Sequence, residues 1–242
     1  MHRRRAGRAP ASGEPAEGLT ARGIRAGYQR FTVLDGVDIA VPPGQVTALI
    51  GPNGAGKTTL FDCLCGTLRP RAGHVALDGA DITRLPPYTR TRLGIARSFQ
   101  QLAVFPSLSI ADNVRVGAEQ GGNGAPPAVE AALRLTGLDG PLRDAPATGL
   151  PTGTLRRVEL ARALACSPRI LLLDEPTAGL DAAETAALAR LLRALAAEGT
   201  GLLIVEHDPE LVLEVADTVH ALRAGRIVAS GPPAQVLAEA AR

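Results

Sequence analysis

The sequence predicts an α/β fold in which a mainly parallel sheet carries helices on both faces. Three observations predict it. Val46–Ile50, Ile170–Leu173 and Leu202–Val205 are short apolar runs, the pattern of parallel strands buried on both sides. Between them, apolar residues recur at helical spacing. A glycine-rich stretch follows the first run and leads straight into one of the helical stretches.

The elements follow in order. Residues 1–18 are rich in Arg, Ala, Gly, Pro and Glu, show no period, and read as a disordered tail. Residues 19–50 are β-rich. Val37–Val41 alternates apolar and polar positions after Gly36, and Pro42-Pro43-Gly44 is a turn before the strand Val46–Ile50. The helix after the glycine loop puts Leu60, Cys63 and Leu64 on one face. From residue 105 to 150, Pro and Gly are frequent. Gly121–Pro127 reads as a loop and a short helix is predicted around Val129–Leu135, so this part is a small helical insertion. Val158, Ala161, Leu164 and Ala165 share a face of the next helix. Leu188, Leu191, Leu192 and Leu195 form the stripe of another. Asp208-Pro209 opens a further helix, with Asp as N-cap and Pro at the first helical position. The remaining residues, 239–242, are expected to be a C-terminal tail.

Composition narrows the function. The 242 residues suffice for one domain with a small subdomain. Arg3, Arg4, Arg5 and Arg8 outweigh the net charge of +2, so the body is slightly acidic. A general nucleic-acid binder needs a basic face, and no nucleic-acid partner is expected. No apolar run is long enough to span a bilayer, and none follows the basic N-terminus as a secretory signal requires. Cys63, Cys65 and Cys166 are badly spaced for a metal site or a disulfide framework; Cys63 and Cys166 are expected as small core residues.

Gly51-Pro52-Asn53-Gly54-Ala55-Gly56-Lys57-Thr58-Thr59 fits G-x-x-x-x-G-K-[ST] between a strand and a helix. Its glycines let backbone N–H groups curl around an anion, and the helix N-terminus adds partial positive charge. Lys57 supplies a full charge and Thr58 a hydroxyl for Mg²⁺. Lys57 is also the single lysine among 26 basic residues, at a site where the broad guanidinium would not fit. A second site lies at Asp174-Glu175, the C-terminal end of a buried strand, where open α/β sheets bind ligands. There Asp174 can hold Mg²⁺ through its water shell, and Glu175 can orient or deprotonate an attacking water.

With these motifs in order, the chain resembles the nucleotide-binding subunits of ABC transporters over about residues 19–238. The resemblance implies a P-loop NTPase with a parallel core sheet, an N-terminal antiparallel β subdomain and a helical subdomain at about 101–165. It implies ATP and Mg²⁺ as cofactors. Tyr28 matches the aromatic that stacks on adenine. Gln100 matches the glutamine that senses Mg²⁺ and the permease. Asp181, in Ala178-Gly179-Leu180-Asp181, matches the D-loop, and His207 matches the switch histidine at the γ-phosphate. The family's Leu-Ser-Gly-Gly-Gln signature is altered here to Leu150-Pro151-Thr152-Gly153-Thr154. In the family this loop clamps the γ-phosphate bound to the other subunit, so Thr152 and Gly153 are expected to serve that role.

The resemblance further implies a second ATPase subunit, identical or different, and separate transmembrane permease subunits at the cytoplasmic face of the membrane. Ser98-Phe99-Gln100 and Val104–Leu108 are similar to the branched-chain amino acid importer group. Import of amino acids or amides, with an extracytoplasmic solute-binding protein on the permease, is therefore the leading expectation. Export of a lipid or drug is the alternative.

Overall fold

A computed structural model describes residues 18–98, 103–122 and 126–240. In chain order the elements are β1 (Leu19–Ala26), β2 (Leu34–Val41), β3 (Val46–Ile50), α1 (Lys57–Cys65), β4 (Ala72–Leu77), β5 (Ala80–Asp81), α2 (Pro87–Arg92) and β6 (Ile95–Arg97). Then come α3 (Ile110–Gln120), α4 (Pro126–Leu135), a 3₁₀ turn at Pro141–Asp144, α5 (Thr152–Ala165) and β7 (Ile170–Asp174). The chain continues with α6 (Ala182–Ala197), β8 (Gly201–Val205), α7 (Pro209–Val215), β9 (Thr218–Arg223), β10 (Arg226–Gly231) and α8 (Pro233–Ala240).

The core sheet has the order β10-β9-β3-β8-β7-β6. Its strands run parallel except β10, which returns antiparallel to β9. Every residue of β3, β7 and β8 is buried, which explains their unbroken apolar sequence. Successive side chains go to opposite faces. Ala48, Leu171 and Ile204 join a cluster with Val158, Leu192 and Val212 of α5, α6 and α7. Leu49, Leu172 and Leu203 join a second cluster with Phe61 and Leu64 of α1 and with Leu34 and Val37 of β2. That second layer is a separate antiparallel sheet of order β2-β1-β4-β5.

The helical unit is α3, α4 and α5. Helix α3 sits in a stretch rich in turn residues and has no counterpart in the sequence reading. Ser109 starts it: its hydroxyl accepts from Asp112 N at 3.0 Å. Gly117 lets α3 close on α5, since a Cβ there would lie 2.1 Å from Arg162 O. Helix α4 begins at Pro126, earlier than expected, because proline suits a first turn that needs no N–H partner. Three expectations for the ends and loops are therefore corrected. Pro126 and Pro127 are helical. Gly18 belongs to the fold, its N–H donating to Asp78 Oδ1 at 2.8 Å. Residues 239 and 240 complete α8, whose Val236 is buried against the core. The rest of the expected N-terminal tail lies outside the described residues. All three cysteines are free and buried.

Candidate functional site

The glycine loop leaves β3 at Ile50 and enters α1 at Lys57. Gly51 and Gly56 are needed for space as well as for conformation. A Cβ at Gly51 would sit 2.2 Å from Leu222 O, and one at Gly56 would sit 2.8 Å from Leu34 Cδ2 at φ 110°. Gly56 caps α1 without a side chain, so the first N–H groups of the helix stay open to an anion. Asn53, Gly54 and Thr58 are exposed, whereas Ala55 and Thr59 are buried. Lys57 is 7% exposed. Its ammonium donates to Gly51 O at 2.7 Å and Pro52 O at 3.1 Å. Burial lowers the pKa of Lys57, opposed by the negative charges of Glu175 and Asp174.

Strand β8 pairs with β3 and β7 pairs with β8, all parallel, so their C-terminal ends open on the side of the loop. Asp174 ends β7 and is 2% exposed. Its Oδ2 has no hydrogen-bond partner, and Arg97 stands 3.9 Å away. Burial raises the pKa of Asp174, against the pull of Arg97. Glu175 turns the chain with φ 48° and donates its N–H to Val205 O at 2.9 Å. Its Oε1 lies 3.0 Å from His207 Nε2. Between these two loops Glu206 is buried, 2% exposed. It accepts from Thr177 N at 3.1 Å, Thr177 Oγ1 at 2.7 Å and His207 N at 3.0 Å. A cavity of about 620 Å³ runs from Gly51 and Pro52 along Glu206–Pro209 to Arg223.

The site is thus a phosphate-type loop beside a buried carboxylate and a Glu–His pair, on a parallel sheet with an antiparallel layer. The family described as ABC transporter matches residues 34–178. The chain belongs to this family of ATP-binding subunits. It is 39% identical to the lipopolysaccharide export system ATP-binding protein LptB of Acidithiobacillus ferridurans, over 92% of this chain and 93% of the relative. It is 35% identical to the protein of the same name from Escherichia coli K12, over 90% and 92%. A crystal structure of the ADP conformation of an ATP-binding cassette of an ABC transporter superposes with a TM-score of 0.84 at 31% identity, covering 92% of this chain and 95% of that one. The fold expected from the resemblance and the ATPase activity both stand. The amino acid importer group finds no support in these relatives, whose named systems export lipopolysaccharide.

Within this ABC ATPase the other expected residues separate into groups. Tyr28 is half exposed after β1, its hydroxyl 3.4 Å from Asp62 Oδ2 on α1. Thr152 and Gly153 open α5 directly after its N-cap, Pro151, which makes no side-chain capping hydrogen bond, and they meet the segment after β7. A Cβ on Gly153 would lie 2.3 Å from Glu184 Oε1, and one on Gly179 would lie 3.3 Å from Thr152 Cγ2. Asp181 is the N-cap of α6 in a capping box: its carboxylate accepts from Glu184 N at 2.8 Å, and Glu184 Oε2 accepts from Asp181 N at 3.1 Å. Gln100 lies outside the described residues.

Among the described residues no group of three His, Cys, Asp or Glu could hold a metal by itself. Mg²⁺ does not require such a cage, because it keeps waters and takes phosphate oxygens with one or two protein ligands. The bare buried oxygen of Asp174 and the exposed Thr58 fit that role. Two further residues of the site escaped sequence reading, Glu206 and Arg97. Glu206 had a readable sign, since it directly follows an apolar run, Leu202–Val205, as Asp174 follows Ile170–Leu173. Arg97 had none.

Proposed function

We propose that this ABC ATPase hydrolyses ATP to power export of an amphipathic, lipid-like molecule through a separate permease. The hydrolytic part rests on one observation: the Lys57 loop, Asp174, Glu175 and His207 meet at the ends of adjacent parallel strands. Gly51–Thr59 cradle the phosphates and Tyr28 contacts the base. Thr58 and Asp174, with Gln100, would hold Mg²⁺, which would neutralise charge on the phosphates. Glu175 takes the proton of the attacking water, and His207 holds Glu175 and reads the γ-phosphate.

Thr152, Gly153 and Asp181 complete the nucleotide site of a second ATPase subunit. Their packing against Gly179 and Glu184 supports that role, because it groups them as one surface. ATP held between two subunits stabilises the closed pair by mass action, and hydrolysis releases it. The helical unit α3–α5 docks the permease at the cytoplasmic face of the membrane. No helix of the described residues is long and apolar enough to cross a membrane.

Export is favoured over import by the likeness to the two LptB proteins. The test is purification of the chain with its membrane partners and reconstitution in liposomes. ATP turnover stimulated by a lipopolysaccharide or phospholipid cargo is the expected result. Stimulation only by an amino acid with its binding protein would reverse the direction proposed here.

A further inference from the structure

Arg97 ends β6, beside β7 and two residues short of Asp174 in the strand register. Its side chain is 13% exposed and is held on several sides. One guanidinium nitrogen donates to Asp62 Oδ1 at 2.7 Å. The guanidinium carbon lies 5.7 Å from the centre of the Phe61 ring. Asp62 is itself fixed by Thr67 Oγ1 at 3.0 Å. So oriented, Arg97 places its other terminal nitrogen 3.9 Å from the bare, buried Asp174 Oδ2.

That spacing is too long for a hydrogen bond but short for a pair of buried charges. A buried carboxylate without a counter-charge is costly. Lys57 leaves this one unbonded, since its ammonium donates to Gly51 O and Pro52 O. The long approach also leaves the lone pairs of Oδ2 open to a closer ligand, and Mg²⁺ binds oxygen at about 2.1 Å. We propose that Arg97 is a positioning residue: it holds the Asp174 carboxylate as the counter-charge of the metal-free chain and yields it to the magnesium of MgATP. The proposal rests on the reading of Asp174 as a metal contact. Arg97 stabilises the chain before the metal arrives and competes weakly with the metal afterwards.

The experiment uses the full chain, with Arg97→Met to remove the charge and Arg97→Lys to keep it. Melting temperature is measured in chelator and again with magnesium and a non-hydrolysable ATP analogue. The magnesium needed for half-maximal analogue binding is measured alongside. Arg97→Met is expected to melt about 8 °C lower in chelator and to recover at least half of that loss with magnesium and analogue. Its half-saturating magnesium is expected to fall about tenfold, and Arg97→Lys to stay near wild type. An equal loss of melting temperature in both conditions, with an unchanged magnesium requirement, is the signature of simple packing and overturns the proposal.

If Arg97→Met does not fold, adding Asp174→Asn decides the matter. Restored folding supports the counter-charge, and continued failure overturns it. A wild-type chain that gains nothing from magnesium beyond the nucleotide sinks the metal reading of Asp174 itself. A wild-type gain with a parallel, unrecovered loss in Arg97→Met sinks the role of Arg97 alone.

Discussion

Glu175 Oε1 and His207 Nε2 lie 3.0 Å apart although the residues are 32 positions apart in sequence. Each follows the last residue or two of its own parallel strand, and the two strands are direct neighbours. The pair gives the proposed base a fixed direction at the mouth of the site. Glu175→Gln keeps the shape and removes the proton acceptor. Single-turnover hydrolysis is expected to slow by about 100-fold or more, while nucleotide binding changes by less than about threefold. Turnover at the wild-type rate would remove Glu175 from the chemistry.

Lys57→Arg tests why one lysine survives in an arginine-rich chain. The ammonium donates to two loop carbonyls in a space that is almost closed. A guanidinium is planar and wide, so it displaces the loop. Equilibrium binding of a fluorescent ATP analogue is expected to weaken by about tenfold or more. Lys57→Met removes the ammonium altogether and should bind as poorly. A Lys57→Arg chain with wild-type affinity would refute the steric argument.

Glu206 is a brace between two functional loops. Its carboxylate satisfies Thr177 N, Thr177 Oγ1 and His207 N. Glu206→Ala leaves these part-buried donors without their acceptor, at a cost of about 3 kcal/mol. Thermal unfolding should shift down by roughly 9 °C. Glu206→Gln keeps an acceptor oxygen and should lose about half as much. Equal stability of all three chains would contradict the brace.

His220 makes the fold sensitive to acid. Burial holds its pKa below the ordinary 6.5, and its Nδ1 lies 2.7 Å from Ser230 Oγ. The unfolded chain therefore binds the proton more readily than the folded one. The stability from the neutral ring is complete above the unfolded pKa and is lost as pH falls through the folded pKa. Melting temperature is expected to fall between about pH 7.5 and about pH 5.5, and His220→Gln should fall less over that range. Identical pH profiles for the two chains would exclude His220 as a source.

Much of the site was legible because its parts are local. The loop Gly51–Thr59 links strand, turn and helix in one continuous segment, and the N–H groups and ammonium proposed to hold phosphate all belong to it. The apolar strands Val46–Ile50, Ile170–Asp174 and Gly201–Val205 carry their burial in their composition. Helix α3 was missed because its one clear signal, Ser109 before Asp112, is embedded among turn formers. Asp181 had a resemblance to guide it, but its capping box with Glu184 needed coordinates.

Chain order therefore sufficed for the phosphate loop, the strand-end carboxylates and the layered α/β plan, since each depends on spacing along a single segment. It was folding that set Arg97 against Asp174, Glu206 beneath Thr177 and His207, and Gly153 against Glu184. Those partners come from separate strands and helices, and their distances follow from sheet order and helix packing. A buried charge reveals its counter-charge only when both are brought into the same low-dielectric space.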